Sequence, residues 1–215
     1  MLSLSNLSLS LNGTQIVGLS ADIVAGEVLT IMGPSGAGKS SLLLALIGAL
    51  PKAFVQSGTI TLNGRDITAL PTSHRRIGIL FQDDILFPHL SVAGNLAFAL
   101  PRQLGGSRAG RALIINEGLN SIDLAGFGPR DTATLSGGQR ARVALLRALL
   151  AAPQALLLDE AFSRLDTALR AQIRDLVFYQ ARQRQLPVLM VTHDAEDARA
   201  ADGLVVDPFG RPVTL

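Results

Sequence analysis

Gly33-Pro-Ser-Gly-Ala-Gly-Lys39-Ser40 follows the apolar run Val28-Leu-Thr-Ile-Met32 and precedes a helical stretch that reads through Leu50 and is ended by Pro51. Strand, glycine-rich loop and helix in that order put the loop at the carboxyl edge of a parallel sheet, where α/β folds gather ligands. The spacing G-x-x-x-x-G-K-S lets successive backbone N–H groups turn inward around phosphate oxygens. Lys39 would reach the β and γ phosphates of a nucleotide, and Ser40 would set its hydroxyl on Mg²⁺. The helix that begins there points the positive end of its dipole at the same anion. Of the 19 basic side chains only two are lysines, Lys39 and Lys52, so a lysine in this position is a selective choice in an arginine-dominated chain.

Working outward, the segments on both sides organise around that unit. Leu2 and Leu4, then Leu7, Leu9 and Leu11, alternate with a phase slip at Asn6, as in one strand with a bulge or two short strands. Residues 18–23 continue the sheet, and Gly58-Thr-Ile-Thr-Leu-Asn63-Gly64 closes with a hairpin signal. These segments predict a small antiparallel sheet. Residues 91–100 and 108–122 carry helical patterns separated by Pro101 and Gly105-Gly106, and predict a helical insertion spanning about 88–150. After it, helix and strand alternate: 138–151, 155–158, 167–185, 188–191, 194–200 and 204–206. That alternation predicts a parallel α/β sheet.

Composition narrows the chemistry. The 215 residues are 48% apolar and 17% charged, which suits one large folded domain rather than a solvated or disordered chain. A net charge of +2 gives no reason to expect a nucleic-acid partner. The absence of cysteine removes disulfides, zinc modules, iron–sulfur clusters and thiol nucleophiles together. No apolar run reaches the roughly 20 residues of a membrane span, and the N-terminus has no secretory pattern.

Two further segments carry chemistry. Ala155-Leu-Leu-Leu-Asp159-Glu160 is an apolar strand ending in two carboxylates. Asp159 would bind Mg²⁺ directly or through water, and Glu160 would polarise a water attacking the γ-phosphate. A solvated strand end or a helix cap is the alternative for this segment taken alone. Leu135-Ser136-Gly137-Gly138-Gln139 offers an N-cap serine, unhindered backbone N–H groups and a helix dipole, and so a second anion-binding helix start, with an ordinary capped helix as the better reading of the segment taken alone. One nucleotide does not need two such loops from one chain, so this one is expected to serve the γ-phosphate of a nucleotide on a partner.

The glycine loop, Leu-Ser-Gly-Gly-Gln and apolar-Asp-Glu, in this order, resemble the nucleotide-binding domain of an ATP-binding cassette (ABC) ATPase over nearly the whole chain. The resemblance implies a P-loop NTPase core with a parallel sheet, an antiparallel β subdomain and the helical insertion, all in one domain over 1–215. It assigns Gly33, Pro34, Ser35, Gly36, Ala37, Gly38, Lys39, Ser40 and Ser41 to ATP, and Ser40, Asp159 and Gln82 to Mg²⁺. It gives Glu160, His193 and Gln82 catalytic parts: Gln82 senses the metal and the attacking water, while His193 holds the γ-phosphate and orients Glu160. It also implies a head-to-tail, ATP-dependent homodimer. In that dimer Ser136, Gly137, Gly138 and Gln139 of one chain meet the nucleotide of the other, and Asp166 communicates across the interface.

The sequence departs from the family pattern at two positions. Leu11 stands where many relatives place an aromatic residue against adenine, and Arg164 stands where they carry a small residue before Leu165-Asp166. Gln82-Asp-Asp-Ile-Leu-Phe-Pro88-His89-Leu-Ser91 resembles the segment that receives membrane permease subunits in binding-protein-dependent importers, with Leu86, Phe87 and Leu90 as groove residues. The expected partners are a permease and, indirectly, a solute-binding protein. The expected place is the cytoplasmic face of the membrane, and no regulatory domain is expected beyond Leu215. A stand-alone P-loop enzyme such as a small-molecule kinase, or a non-transport ABC-type ATPase, is the other class considered. A kinase would leave residues 135–139 without a role.

Overall fold

The computed structural model describes all 215 residues. The chain forms two compact units: Met1–Ile79 with Gln154–Glu160 and Phe178–Leu215, and Leu80–Pro153 with Ala161–Val177.

The first unit contains two sheets. β1 (Leu2–Leu11), β2 (Thr14–Ile23), β4 (Phe54–Leu62) and β5 (Arg65–Asp66) form an antiparallel sheet in the order β2-β1-β4-β5. β1 is a single strand, and its phase slip is a bulge: Ser5 and Asn6 both face out, Asn6 has φ 48°, and the register to both neighbours shifts there. Gly58 lies opposite. A Cβ on it would come 2.3 Å from the Asn6 carbonyl oxygen, so the strand accommodates the bulge only with glycine at this point.

The second sheet has the order β6-β7-β8-β3-β9, with β3 (Val28–Met32), β6 (Ile77–Leu80), β7 (Ala155–Asp159), β8 (Val188–Thr192) and β9 (Val205–Val206). β7 with β8, β8 with β3 and β3 with β9 pair in parallel, as the unbroken apolar runs require. Leu2, Leu4, Leu7 and Leu9 share one core with Leu29 and Ile31 of β3, Leu157 of β7, Leu189 of β8, and Leu42, Leu43 and Leu46 of α1 (Lys39–Ile47). The loop helix is therefore clamped along its length by buried leucines.

α1 stops at Ile47 rather than Leu50, because Gly48 turns left-handed at φ 74° and reverses the chain before Pro51 is reached. Past the β4–β5 hairpin, the short helix α2 (Thr72–Arg75) buries Arg75, a residue that sequence patterning does not single out. Its guanidinium donates to the carbonyls of Ala45 (2.8 Å) and Leu46 (2.9 Å) at the end of α1. It also donates to Thr68 (2.6 Å) and Leu70 (2.7 Å).

The second unit is helical. α3 (Val92–Ala99), α4 (Arg108–Asn120) and α5 (Gly137–Leu150) meet around Val92, Leu96, Ile115, Leu119, Val143 and Leu146. Ser91 and Ser107 sit just outside α3 and α4 as N-caps, accepting from the backbone N–H of Gly94 and Gly110. α6 (Thr167–Gln183) begins in this unit and ends in the first, where α7 (Ala195–Ala201) also lies. No helix is long and apolar enough to cross a membrane.

Candidate nucleotide site

In the first unit the loop between β3 and α1 has Gly36 and Gly38 at φ 83°. At Gly36 a Cβ would meet nothing within 4 Å, so the run of backbone amides is open on that side. At Gly38 it would lie 3.1 Å from Val17 Cγ2 and 3.3 Å from Ile16 Cδ1, so strand β2 presses on the loop from behind. Leu11 stands at the end of β1, paired with Thr14 and Phe54. Ile16 and Val17, which carry no motif signal, are the residues that pack against the loop glycine.

Lys39 is only 5% exposed, and its Nζ donates to the carbonyls of Gly33 (2.8 Å) and Pro34 (2.9 Å). The same nitrogen stands 3.8 Å from Glu160 Oε1. Ser40 Oγ donates to Asp159 Oδ1 at 3.0 Å, joining the first turn of α1 to the end of β7. Burial pushes the Asp159 carboxyl above the ordinary range. The Ser40 hydrogen bond and the Lys39 charge oppose that shift, and Glu160 adds to it. Glu160 itself holds a left-handed backbone, φ 46°, fixed by its N–H donating to the Val191 carbonyl at 3.0 Å. Its Oε2 lies 3.2 Å from His193 Nδ1.

Parallel pairing of β7, β8 and β3 thus brings Lys39, Ser40, Asp159, Glu160 and His193 to one sheet edge. A hydroxyl and a half-buried carboxylate within hydrogen-bond reach of each other form a hard-oxygen pair suited to Mg²⁺, beside amides and an ammonium suited to phosphate. The residues present fit a magnesium–nucleotide.

The second unit carries the other sequence-predicted residues. Ser136 caps α5, with its Oγ accepting from the Gln139 N–H at 3.3 Å while Gln139 Oε1 accepts from the Ser136 N–H at 3.0 Å. The Gln139 side chain is thereby committed to its own helix start. Gly138 is buried, and a Cβ there would come 2.5 Å from Leu169 Cδ1, so packing against α6 demands glycine. Asp166 is exposed and caps α6, its Oδ1 accepting from the Leu169 N–H at 3.1 Å.

Gln82 is exposed and lines a cavity of about 410 Å³ with Asp83, Asp84, Gly137, Arg140 and Arg164. Burial raises the Asp84 carboxyl despite Arg140, whose Nε stands 3.5 Å away. Leu86, Phe87 and Leu90 are half-buried. The Phe87 ring meets that of Phe98 edge-on at 4.8 Å, and Phe98 is 72% exposed. Asn95, fully buried, fixes this stretch by accepting from the Phe87 N–H and donating to the carbonyls of Phe87, Leu90 and Ser91.

The family model described as ABC transporter matches residues 16–163, which takes in the loop, the Ser136 helix start and the Asp159-Glu160 edge. The chain is 50% identical over 208 residues to the uncharacterized ABC transporter ATP-binding protein YnjD of Escherichia coli (strain K12), covering 96% of this chain and 94% of that one. It is 46% identical over 179 residues to the thiamine import ATP-binding protein ThiQ of Cereibacter sphaeroides, covering 83% and 76%. It is 41% identical over 215 residues to the Fe(3+) ions import ATP-binding protein FbpC of Streptomyces coelicolor, covering 98% of this chain and 60% of that relative. A phosphate loop facing an Asp-Glu strand end is what an ATP-hydrolysing subunit needs, and the likeness runs through every segment that builds it: the chain belongs to the ABC transporter family, as an ATP-binding subunit that hydrolyses ATP.

Proposed function

We propose that the chain powers solute import as one of two identical ATP-hydrolysing subunits bound to a membrane permease at the cytoplasmic face. The observation that carries the hydrolytic part is the convergence of Lys39, Ser40, Asp159, Glu160 and His193 on one sheet edge. The loop amides and Lys39 bind the β and γ phosphates. Ser40 and Asp159 hold Mg²⁺, which when bound neutralises phosphate charge. Glu160 accepts a proton from the attacking water, His193 orients its carboxylate, and Gln82 contributes to water and metal placement. Ser136, Gly137 and Gly138 serve the γ-phosphate held by the other chain of a head-to-tail dimer, whose turns at Asp166 face one another.

Import rather than export is supported by relatives named as import subunits for thiamine and Fe(3+) ions, and by one from Vibrio parahaemolyticus named for spermidine and putrescine. Permease docking falls to the stretch from Ile85 to Leu90 with Phe98, where Ile85 and Phe98 are exposed and Leu86, Phe87 and Leu90 half-buried. A small-molecule kinase would leave the capped Ser136 helix start unexplained. The test is co-purification: a gene neighbour encoding a multi-span membrane protein, co-expressed with this chain, should retain it in detergent and raise its ATP turnover. Failure of every such neighbour to bind would count against transport.

A further inference from the structure

Asp83 and Arg164, 81 residues apart in sequence, form an ion pair within the second unit. Asp83 follows Gln82 directly, and Arg164 lies two residues before Asp166, at a position where the family resemblance leads one to expect a small side chain.

The turn bearing Arg164 is stiff. Leu165 N–H and Arg170 Nε both donate to the Phe162 carbonyl, at 3.2 and 3.0 Å. The Asp166 carbonyl accepts from the Arg170 N–H at 2.8 Å. A displacement of Arg164 is therefore a displacement of the whole turn. The loop bearing Asp83 is held from outside itself. Ile85, a β-branched residue, has φ 42°, a conformation the surroundings must impose. Arg147 donates to the Ile85 carbonyl at 2.8 Å, and Arg140 approaches Asp84. Both of those arginines come from α5. Arg164 is the one guanidinium in this set that reaches the loop from another element. With Arg140 beside Asp84, the adjacent and mutually repelling Asp83 is left to Arg164.

We infer that Arg164 is a positioning residue: through Asp83 it ties the loop carrying Gln82 to the Asp166 turn, so that the two shift together. The inference rests on the roles given to Gln82 and Asp166 under Proposed function. The pair is 60% and 59% exposed, so it is a breakable tie, sensitive to salt, and not a foundation of the fold.

The test uses the full chain with Arg164→Ala, Asp83→Asn, both together, and the reversed pair Asp83→Arg/Arg164→Asp. Amide exchange should rise in each single variant both at 83–86 and at 163–166, while melting temperatures stay close to wild type. Steady-state kcat for Mg-ATP should fall about two- to fivefold in each single variant, the scale of one exposed ion pair, with KM little changed. The double loss should not multiply, and the reversed pair should recover both exchange and kcat. High salt should bring wild type toward the single variants. Unchanged exchange in the single variants, multiplicative losses, or a reversed pair no better than either single variant overturns the inference. If wild type hydrolyses no ATP, or its Glu160→Gln form stays monomeric, the shared-site reading fails, and the exchange data still decide the tie.

Discussion

His193 Nδ1 lies 3.2 Å from Glu160 Oε2, while Lys39 Nζ stands 3.8 Å from the other oxygen of the same carboxylate. A carboxylate flanked in this way is aimed, and under the proposed mechanism its charge is what takes the proton. Glu160→Gln keeps the length and reach of the side chain and should lower kcat by about 100-fold or more, with ATP binding retained. The ATP-bound dimer should then accumulate in light scattering after size exclusion, and adding Ser136→Arg should remove it. A protein that binds ATP, stops hydrolysing and stays monomeric would count against two loops sharing one γ-phosphate.

Gly38→Ala tests the support behind the loop. The new Cβ would meet Val17 and Ile16 at 3.1 and 3.3 Å on a backbone at φ 83°, so the loop must shift. The expected cost is about 1–3 kcal/mol of stability, with weakened ATP affinity by calorimetry. Gly36→Ala shares the φ but meets no neighbour, and should cost less.

Arg75→Met leaves four carbonyl acceptors without their donor, two of them at the end of the helix that starts at the phosphate loop. Chemical denaturation should show a loss of about 2–4 kcal/mol. Arg75→Lys keeps the charge but loses the fork, and should recover only part of it.

Asp84 gives a pH signature. Its folded-state carboxyl is raised above 3.8 chiefly by burial, so the folded protein holds a proton that the unfolded chain has released. The stability this proton contributes is present below 3.8 and is lost as pH rises through the raised folded value. Asp84→Asn lacks that loss, so its melting temperature relative to wild type should climb as pH is raised from about 4 to neutrality. A relative melting temperature that falls over that range would mean that attraction to Arg140 outweighs burial.

Much of this architecture is legible because its signals are local. The glycine loop, the apolar strand before it and the Ser136 cap are each decided by residues close together in the sequence. The bulge at Asn6 shows in the leucine alternation. What lies outside local reach is side-chain reach across the chain. Arg75 serves carbonyls 29 and 30 residues away. Asn95 anchors a preceding loop, Arg164 finds Asp83, and Ile16 rather than a motif residue braces Gly38. α1 ends at Ile47, short of the Leu50 that the sequence pattern predicts, because Gly48 acts through backbone handedness before Pro51 acts through its missing N–H.

Lys39 is shielded, whereas Lys52, the only other lysine of these 215 residues, is exposed. Acylating reagents spare guanidinium groups, so the 19 cationic side chains offer just two targets, one on the surface and one inside the phosphate loop. The rate at which Lys39 is acylated, with Lys52 as internal standard, therefore clocks the opening of that loop in the unaltered protein. The arginine-rich composition leaves the molecule with a native chemical probe in its glycine loop.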